Sequence, residues 1–370
     1  MKKSIAICLW LFAASIAASA QQTSEKVSAY LDAQMTQKQI PGLQVLVMHG
    51  DKTIYSTNKG LAEISFQSPV KSNTIFSINS TSKIFAGVAI MQLAEAGKLQ
   101  LNDAVGKHLP NLPQSWHQVT ILQLLSHQSG LPNIEDDITE ELIGGKGPDT
   151  AWALVQRQPL LAKPGETFNY ITTNYVLIQK LIEKYSGMNY EDWITQQQFV
   201  PAGMKSTFYA NSNEAIKDKG PTYSFYSRNP ATGELEKGNK WLTCYEIFPH
   251  MARADAGVFS TSEELANWMH ALKNGTFLKK QGSLQTLWTP VKLNNGKTKG
   301  FGDNYTGYAM GWSVLDQEKH PYVSALGGGR AVVNYYPKED LTVILLTNLT
   351  GCRPAAIAEG VAAFFLETVK

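Results

Sequence analysis

Strand-like patterning is confined to the two ends of this 370-residue chain. Near the start, Leu43-Gln44-Val45-Leu46-Val47-Met48 and Thr53-Ile54-Tyr55-Ser56-Thr57 flank a turn-rich His49-Gly50-Asp51-Lys52. Near the end come Ala309-Met310-Gly311-Trp312-Ser313-Val314, then Ala331–Tyr336 and Leu341–Leu346. From Leu99 to about Phe248 the periodicity is mostly helical, broken by Pro110, Pro113, Gly130-Leu131-Pro132 and Pro164-Gly165. Strands at both ends must share a core with one another, so the pattern predicts an α+β fold. Its central antiparallel sheet would be built from both termini, flanked by helices, around a mostly helical insertion. The expected boundaries are 21–98 with 255–370 for the sheet domain and 99–254 for the insertion. Ser24–Gln37 reads as a first helix. Arg353-Pro354 opens a last amphipathic helix through Ile357, Val361 and Phe364-Phe365, with proline where its missing N–H costs least.

Residues 1–20 have a different character. Met1-Lys2-Lys3, an apolar stretch to Ala18 and the small-x-small exit Ala18-Ser19-Ala20 read as a secretory signal peptide, with cleavage expected after Ala20. The stretch is too short for a comfortable membrane span. A secreted or periplasmic protein without stable membrane insertion is therefore expected. Without Lys2 and Lys3 the 33 basic residues fall to 31, matching the 31 acidic ones. That balance, with no long run of either sign, argues against nucleic acid as a partner. Of the three cysteines, Cys8 would leave with the signal peptide; Cys244 and Cys352 could pair in an oxidising compartment or stay free.

Ser80-Thr81-Ser82-Lys83 opens the apolar helical run Ile84–Leu93. Residues three apart share a helix face, so the spacing puts an amine beside a hydroxyl. A serine hydroxyl needs such a base to become a nucleophile. The same tetrapeptide pattern occurs at Ser56-Thr57-Asn58-Lys59 and Ser68-Pro69-Val70-Lys71. The first lies in a strand-like segment and the second precedes no helix. In isolation Ser80 could still be a helix cap and Lys83 a solvated first-turn residue.

Other chemistries lack their residues. No Gly-x-Ser-x-Gly elbow is present. The seven histidines (His49, His108, His117, His127, His250, His270, His320) form no His-x-His or His-Glu-x-x-His pair, so neither a metal nor another cofactor is expected. Asn295-Gly296-Lys297-Thr298 echoes a phosphate loop, but Val291 stands where its first glycine belongs, and a solvated hairpin is the better reading.

Further segments join Ser80 and Lys83 in a recognisable order. They are Ile40-Pro41-Gly42, Thr74–Lys83, Leu124-Leu125-Ser126-His127-Gln128-Ser129-Gly130-Leu131-Pro132 and Pro164-Gly165-Glu166-Thr167-Phe168-Asn169-Tyr170. Asn174-Tyr175, Pro201–Thr207, Gly257–Thr261 and Leu346-Thr347-Asn348 follow. Through them the chain resembles the serine hydrolases related to class C β-lactamases, low-molecular-weight penicillin-binding proteins and family VIII esterases. The resemblance covers nearly all of the chain after residue 20. It implies the β-lactamase/transpeptidase-like fold, with Ser80 as nucleophile and Lys83 and Tyr170 as its proton-transfer partners. A phenol with a reference pKa near 10 serves as a base only beside a cation, and Lys83 is the expected source of that field. His127 reads as a structural turn residue.

Two boxes depart from the family pattern. Tyr-x-Asn becomes Tyr170-Ile171-Thr172, which offers a hydroxyl in place of an amide. Lys-Thr-Gly or His-x-Gly becomes Ser324-Ala325-Leu326-Gly327-Gly328-Gly329-Arg330, with no Lys or His at the usual place. Thr172, Gly327, Gly328 and Arg330 are the expected substrate-binding residues, with Arg330 lending the missing positive potential and a glycine N–H joining that of Ser80 as an oxyanion hole. The expected function is acyl-enzyme hydrolysis of a small-molecule or peptide ester or amide. An esterase, a D-amino-acid peptidase and a weak β-lactamase remain open within it. The alternative is a catalytically silent, β-lactamase-like binding protein of the cell envelope.

Overall fold

The computed structural model describes residues 21–136, 141–229, 232–302 and 304–367. The expected signal peptide, residues 1–20, lies outside them. Helix α1 (21–38) leads into strands β1 (Gly42–His49), β2 (Lys52–Glu63) and β3 (Ser68–Pro69). Helices α2 (Lys83–Glu95), α3 (Thr172–Ser186) and α4 (Ser262–Lys273) belong to the middle of the chain. Strands β4 (Gly307–Tyr308), β5 (Ser313–Leu315), β6 (Tyr322–Gly327), β7 (Ala331–Tyr336) and β8 (Leu341–Thr347) precede helix α5 (Pro354–Leu366).

The eight strands form one antiparallel sheet in the order β3-β2-β1-β8-β7-β6-β5-β4. The two ends of the chain meet at the β1–β8 seam, where Val45 opposes Leu345 and Leu46 opposes Ile344. Successive strand side chains point to opposite faces. Val45, Val47, Val343 and Leu345 therefore pack with Val27 and Leu31 of α1 and Ile357 and Val361 of α5. Leu46, Met48, Ile344 and Leu346 pack on the other side with Ile84, Phe85 and Val88 of α2. Burial on both faces explains why β1 and β8 read as continuous apolar runs rather than as alternating ones.

Helix α2 is buried from Lys83 through Met91, as expected of a central helix that is apolar all round. Gly87 lets it press against the carbonyl of Met310, and Phe85 packs edge-on against Phe199 and Trp268, each at 5.0 Å. The Met310 turn corrects one expectation. Only Ser313-Val314 of that segment is strand; residues 309–312 are the turn that joins β4 to β5, and its Gly311 takes φ +88° against the Lys83 carbonyl.

The middle of the chain is less uniformly helical than its periodicity suggested. Thr222–Arg228 pairs with Leu235–Cys244 as a hairpin, and Phe208–Tyr209, Val258–Ser260 and Phe76–Ser77 form a small three-stranded sheet. The first hairpin strand, Thr-Tyr-Ser-Phe-Tyr-Ser-Arg, is rich in β-forming aromatics that the helical reading passed over. Cys244 and Cys352 are both free thiols.

Candidate active site

The small sheet builds the site. Phe76 opposes Ser260 and Ser77 opposes Phe259, and the Ile78 N–H donates to the Val258 carbonyl at 3.0 Å. Antiparallel pairing carried on from there sets residues 79–83 beside the segment that ends at Gly257. The chain then turns through a 3₁₀ turn, Asn79–Ser82, before α2 begins at Lys83. Ser80 therefore precedes the helix rather than opening it. The Ser82 hydroxyl stitches this turn, donating to the Asn79 carbonyl (2.6 Å) and accepting from the Val258 N–H (3.2 Å). The two other Ser-x-x-Lys copies begin on strands, Ser56 on β2 and Ser68 on β3.

Lys83 is fully buried, and its Nζ donates to Ser80 Oγ at 3.1 Å. It also lies 2.7 Å from Asp255 Oδ1, 3.2 Å from the Asp255 carbonyl, and 4.7 Å and 5.2 Å from the ring centres of Tyr170 and Tyr175. Asp255 was not singled out from the sequence. Its only signal was its place two residues ahead of the Gly257–Thr261 segment.

Tyr170 reaches the same point from the insertion. The Asn169 N–H donates to the His127 carbonyl (2.8 Å), and the Ile171 N–H to His127 Nδ1 (3.2 Å). Asn174 Nδ2 approaches that same ring nitrogen at 3.2 Å, while Ser129 Oγ holds Asn174 Oδ1 at 2.5 Å. Burial, aided by the Lys83 charge, pushes the His127 pKa well below its usual value and keeps the ring neutral. The ring lies 4.2 Å from that of Tyr170, a packing and positioning role.

Tyr170 departs from expectation in its electrostatics. Burial first, and then the Asp255 charge, push its pKa well above the usual phenol range, against the pull of a hydrogen bond with Ser80. Asp255 thus offsets the field that Lys83 was expected to supply.

The expected substrate-binding residues divide. Gly327 ends β6, and a Cβ there would collide with the Ile78 carbonyl, so the strand end lies directly against the Ser80 turn. Gly328 follows at φ +52°. Thr172 is instead held by the neighbouring loop. Its hydroxyl donates to Glu135 Oε2 (2.6 Å) and its N–H to Asn133 Oδ1 (3.1 Å). Glu135, Asp136, Asn133 and Tyr170, but not Thr172, line a cavity of about 340 Å³ beside the tyrosine. Arg330 also differs from expectation. Only 2% exposed, it donates to Glu246 Oε2 (2.6 Å), Ser77 Oγ (2.8 Å) and the Ser77 carbonyl (3.2 Å). It faces inward because a guanidinium buried under the strand end needs a carboxylate partner. Its charge is matched there and does not replace the third-box cation.

Comparison with known proteins shows the family and the fold. The chain is 32% identical over 306 residues to penicillin-binding protein 4* of Bacillus subtilis (strain 168), a match covering 77% of this chain and 62% of that relative. It is 26% identical over 334 residues to Protein flp of Staphylococcus aureus (strain MW2), covering 88% and 63%. The chain therefore spans about three fifths of the length of these relatives. Among solved structures, it superposes on D-amino acid amidase from Ochrobactrum anthropi SV3 with a TM-score of 0.79 at 20% identity, covering 94% of this chain and 100% of that one. The family model described as Beta-lactamase matches residues 27–364, which contain the sheet, the Ser80 turn and the Tyr170 loop. With that match across both halves of the sheet and the insertion between them, the chain belongs to the β-lactamase family.

Proposed function

We propose that the protein is a serine hydrolase that forms an acyl-enzyme at Ser80 and releases it to water, acting on esters or amides that carry no carboxylate next to the reacting carbonyl. The observation that carries this reading is the convergence of Lys83 Nζ, 3.1 Å from Ser80 Oγ, with the Tyr170 ring, 4.7 Å from the same nitrogen. Ser80 attacks the carbonyl carbon, its proton passes to the Lys83–Tyr170 pair, and the same pair returns a proton to the leaving group. The Ser80 N–H and a glycine N–H at the Gly327–Gly328 strand end are the donors this reading assigns to the oxyanion. Substrate choice follows from charge. Lys83 is paired with Asp255 and Arg330 with Glu246, so neither cation is available to a substrate carboxylate. Two relatives bear on the class: one is named a penicillin-binding protein and one structural neighbour a D-amino acid amidase. The basic start and short apolar stretch before Gln21 support export before the enzyme acts.

Labelling by a fluorophosphonate probe tests the reading. The parent protein should be labelled at Ser80, and Ser80→Ala should lose all labelling while its melting temperature changes little. A parent protein that stays unlabelled would instead favour a silent binding protein.

A further inference from the structure

The Ser80 N–H, an expected oxyanion donor, already has an acceptor. Asn79 Oδ1 accepts from this N–H at 2.7 Å and from the Ser80 hydroxyl at 3.1 Å. The other end of the same amide is fixed, because Asn79 Nδ2 donates to Glu246 Oε1 at 3.0 Å. Glu246 is held in turn by Arg330 at 2.6 Å, and Arg330 is anchored on Ser77. A continuous polar chain thus runs from Arg330 through Glu246 and Asn79 to the nucleophile.

The backbone is shaped for it. Asn79 takes φ +46°, in the left-handed region that asparagine tolerates better than most residues. Across from it, a Cβ on Gly328 would come within 2.8 Å of Arg330 Nη1 and 3.1 Å of Asn79 Cβ. The bare glycine leaves room for the Asn79 and Arg330 side chains under the strand end.

We propose that Asn79 is a latch on the nucleophile. Its side-chain carbonyl stands in for a substrate carbonyl on the Ser80 N–H, and the substrate oxygen must displace it. The inference rests on the acyl-enzyme reading above. A neutral amide oxygen competes with a neutral substrate carbonyl on nearly equal terms. It loses to the oxyanion, because hydrogen bonds to an ionised acceptor are about twice as strong. The latch therefore weakens the binding of poor acceptors and yields to those that develop negative charge at Ser80. It also competes with Tyr170 for the single Ser80 proton. Asn79 is a positioning residue in this scheme, and Glu246 with Arg330 sets its strength.

The test is the second-order rate of fluorophosphonate labelling in the parent, Asn79→Gly, Asn79→Asp and the double variant Asn79→Gly, Ser80→Ala. Glycine keeps the left-handed backbone and removes the latch. Labelling should accelerate about tenfold, the scale of one net hydrogen bond. Aspartate keeps the acceptor, loses the bond to Glu246 and binds the Ser80 donors as a carboxylate, so labelling should slow. A purely structural role for Asn79 would make both variants slower. The double variant should not label. If the parent labels but Asn79→Gly is no faster, the latch is wrong and the nucleophile assignment survives. If the parent does not label, both fall together. Should Asn79→Gly lack a cooperative melt, Asn79→Ala takes its place as the variant without the acceptor, and labelling no faster than the parent overturns the latch.

Discussion

Asp255 Oδ1 stands 2.7 Å from Lys83 Nζ, and this ion pair, rather than the lysine alone, is the electrostatic centre of the site. The lysine side chain is fully buried and the aspartate's is 12% exposed. Neither charge is tolerable there without the other, since removing one partner of a buried pair costs about 3–5 kcal/mol. Asp255→Asn should therefore lower unfolding stability by that order, read from urea denaturation. Lys83→Met in the same background should recover much of the loss. Additive losses in the double variant would show that the two charges do not depend on each other.

The Tyr170 assignment makes a prediction about pH dependence. Its pKa is held well above the ordinary phenol range by burial and by Asp255, so the phenolate fraction still climbs tenfold per pH unit near neutrality. If Tyr170 takes the Ser80 proton, kcat/KM should rise with pH without a plateau below about pH 10. Tyr170→Phe should flatten that slope. Lys83→Ala and Tyr170→Phe should also be non-additive, the double variant being barely slower than either single one. A parent profile that levels off near neutrality would place the base elsewhere.

Alkaline stability follows from the same burial. Tyr170, Tyr175, Tyr190, Tyr209 and Tyr308 all have raised pKa values because burial disfavours the phenolate. A folded pKa above the unfolded value near 10 gives stability that is complete below that pH and lost as pH climbs through the folded values. The melting temperature should hold up to about pH 10 and fall beyond it, as thermal scans across pH 8–12 would show. Loss already at pH 8 would mean that these phenols are not what limits the fold.

What the sequence made legible follows the range over which each signal acts. A sheet shared by the two ends could be anticipated because burial on both faces makes Leu43–Met48 and Leu341–Leu346 apolar but for Gln44 and Thr342. Ser80 and Lys83 were readable because their relation is local, three residues along one turn. The Lys83–Asp255 contact spans 172 positions and is made only when Ser77 pairs with Phe259, so no spacing could reveal it. Arg330 follows Gly327 closely enough to imply a cleft cation, yet Glu246, on a loop beyond the hairpin, draws it inward. The Thr222–Arg228 strand was missed because its pairing with Leu235–Cys244, and not its own periodicity, fixes its conformation.

The Arg330–Glu246 pair predicts a stability effect where the sequence suggested a catalytic one. Arg330→Ala leaves the Glu246 carboxylate unmatched and strips two hydrogen bonds from Ser77. A loss of about 3–5 kcal/mol in unfolding free energy is expected. Arg330→Met paired with Glu246→Gln should be milder, because no lone charge remains. An Arg330→Ala protein as stable as the parent would argue that the pair is solvated in solution.

Substrate preference is the last consequence of how these charges are matched. A penicillin or cephalosporin brings a carboxylate close to its reacting carbonyl, and a site that accepts it needs an available cation. Ser324–Arg330 contains no Lys or His, Lys83 is matched by Asp255, and Arg330 by Glu246. A short-chain acyl ester carries no such charge and needs no such cation. One missing charged hydrogen bond is worth about 1.5–3 kcal/mol, roughly ten- to a hundredfold in rate. A chromogenic short-chain ester should therefore exceed a chromogenic cephalosporin in kcat/KM by at least about tenfold when the two are assayed side by side. A cephalosporin turned over faster than the ester would mean that some other group in the cleft supplies the cation.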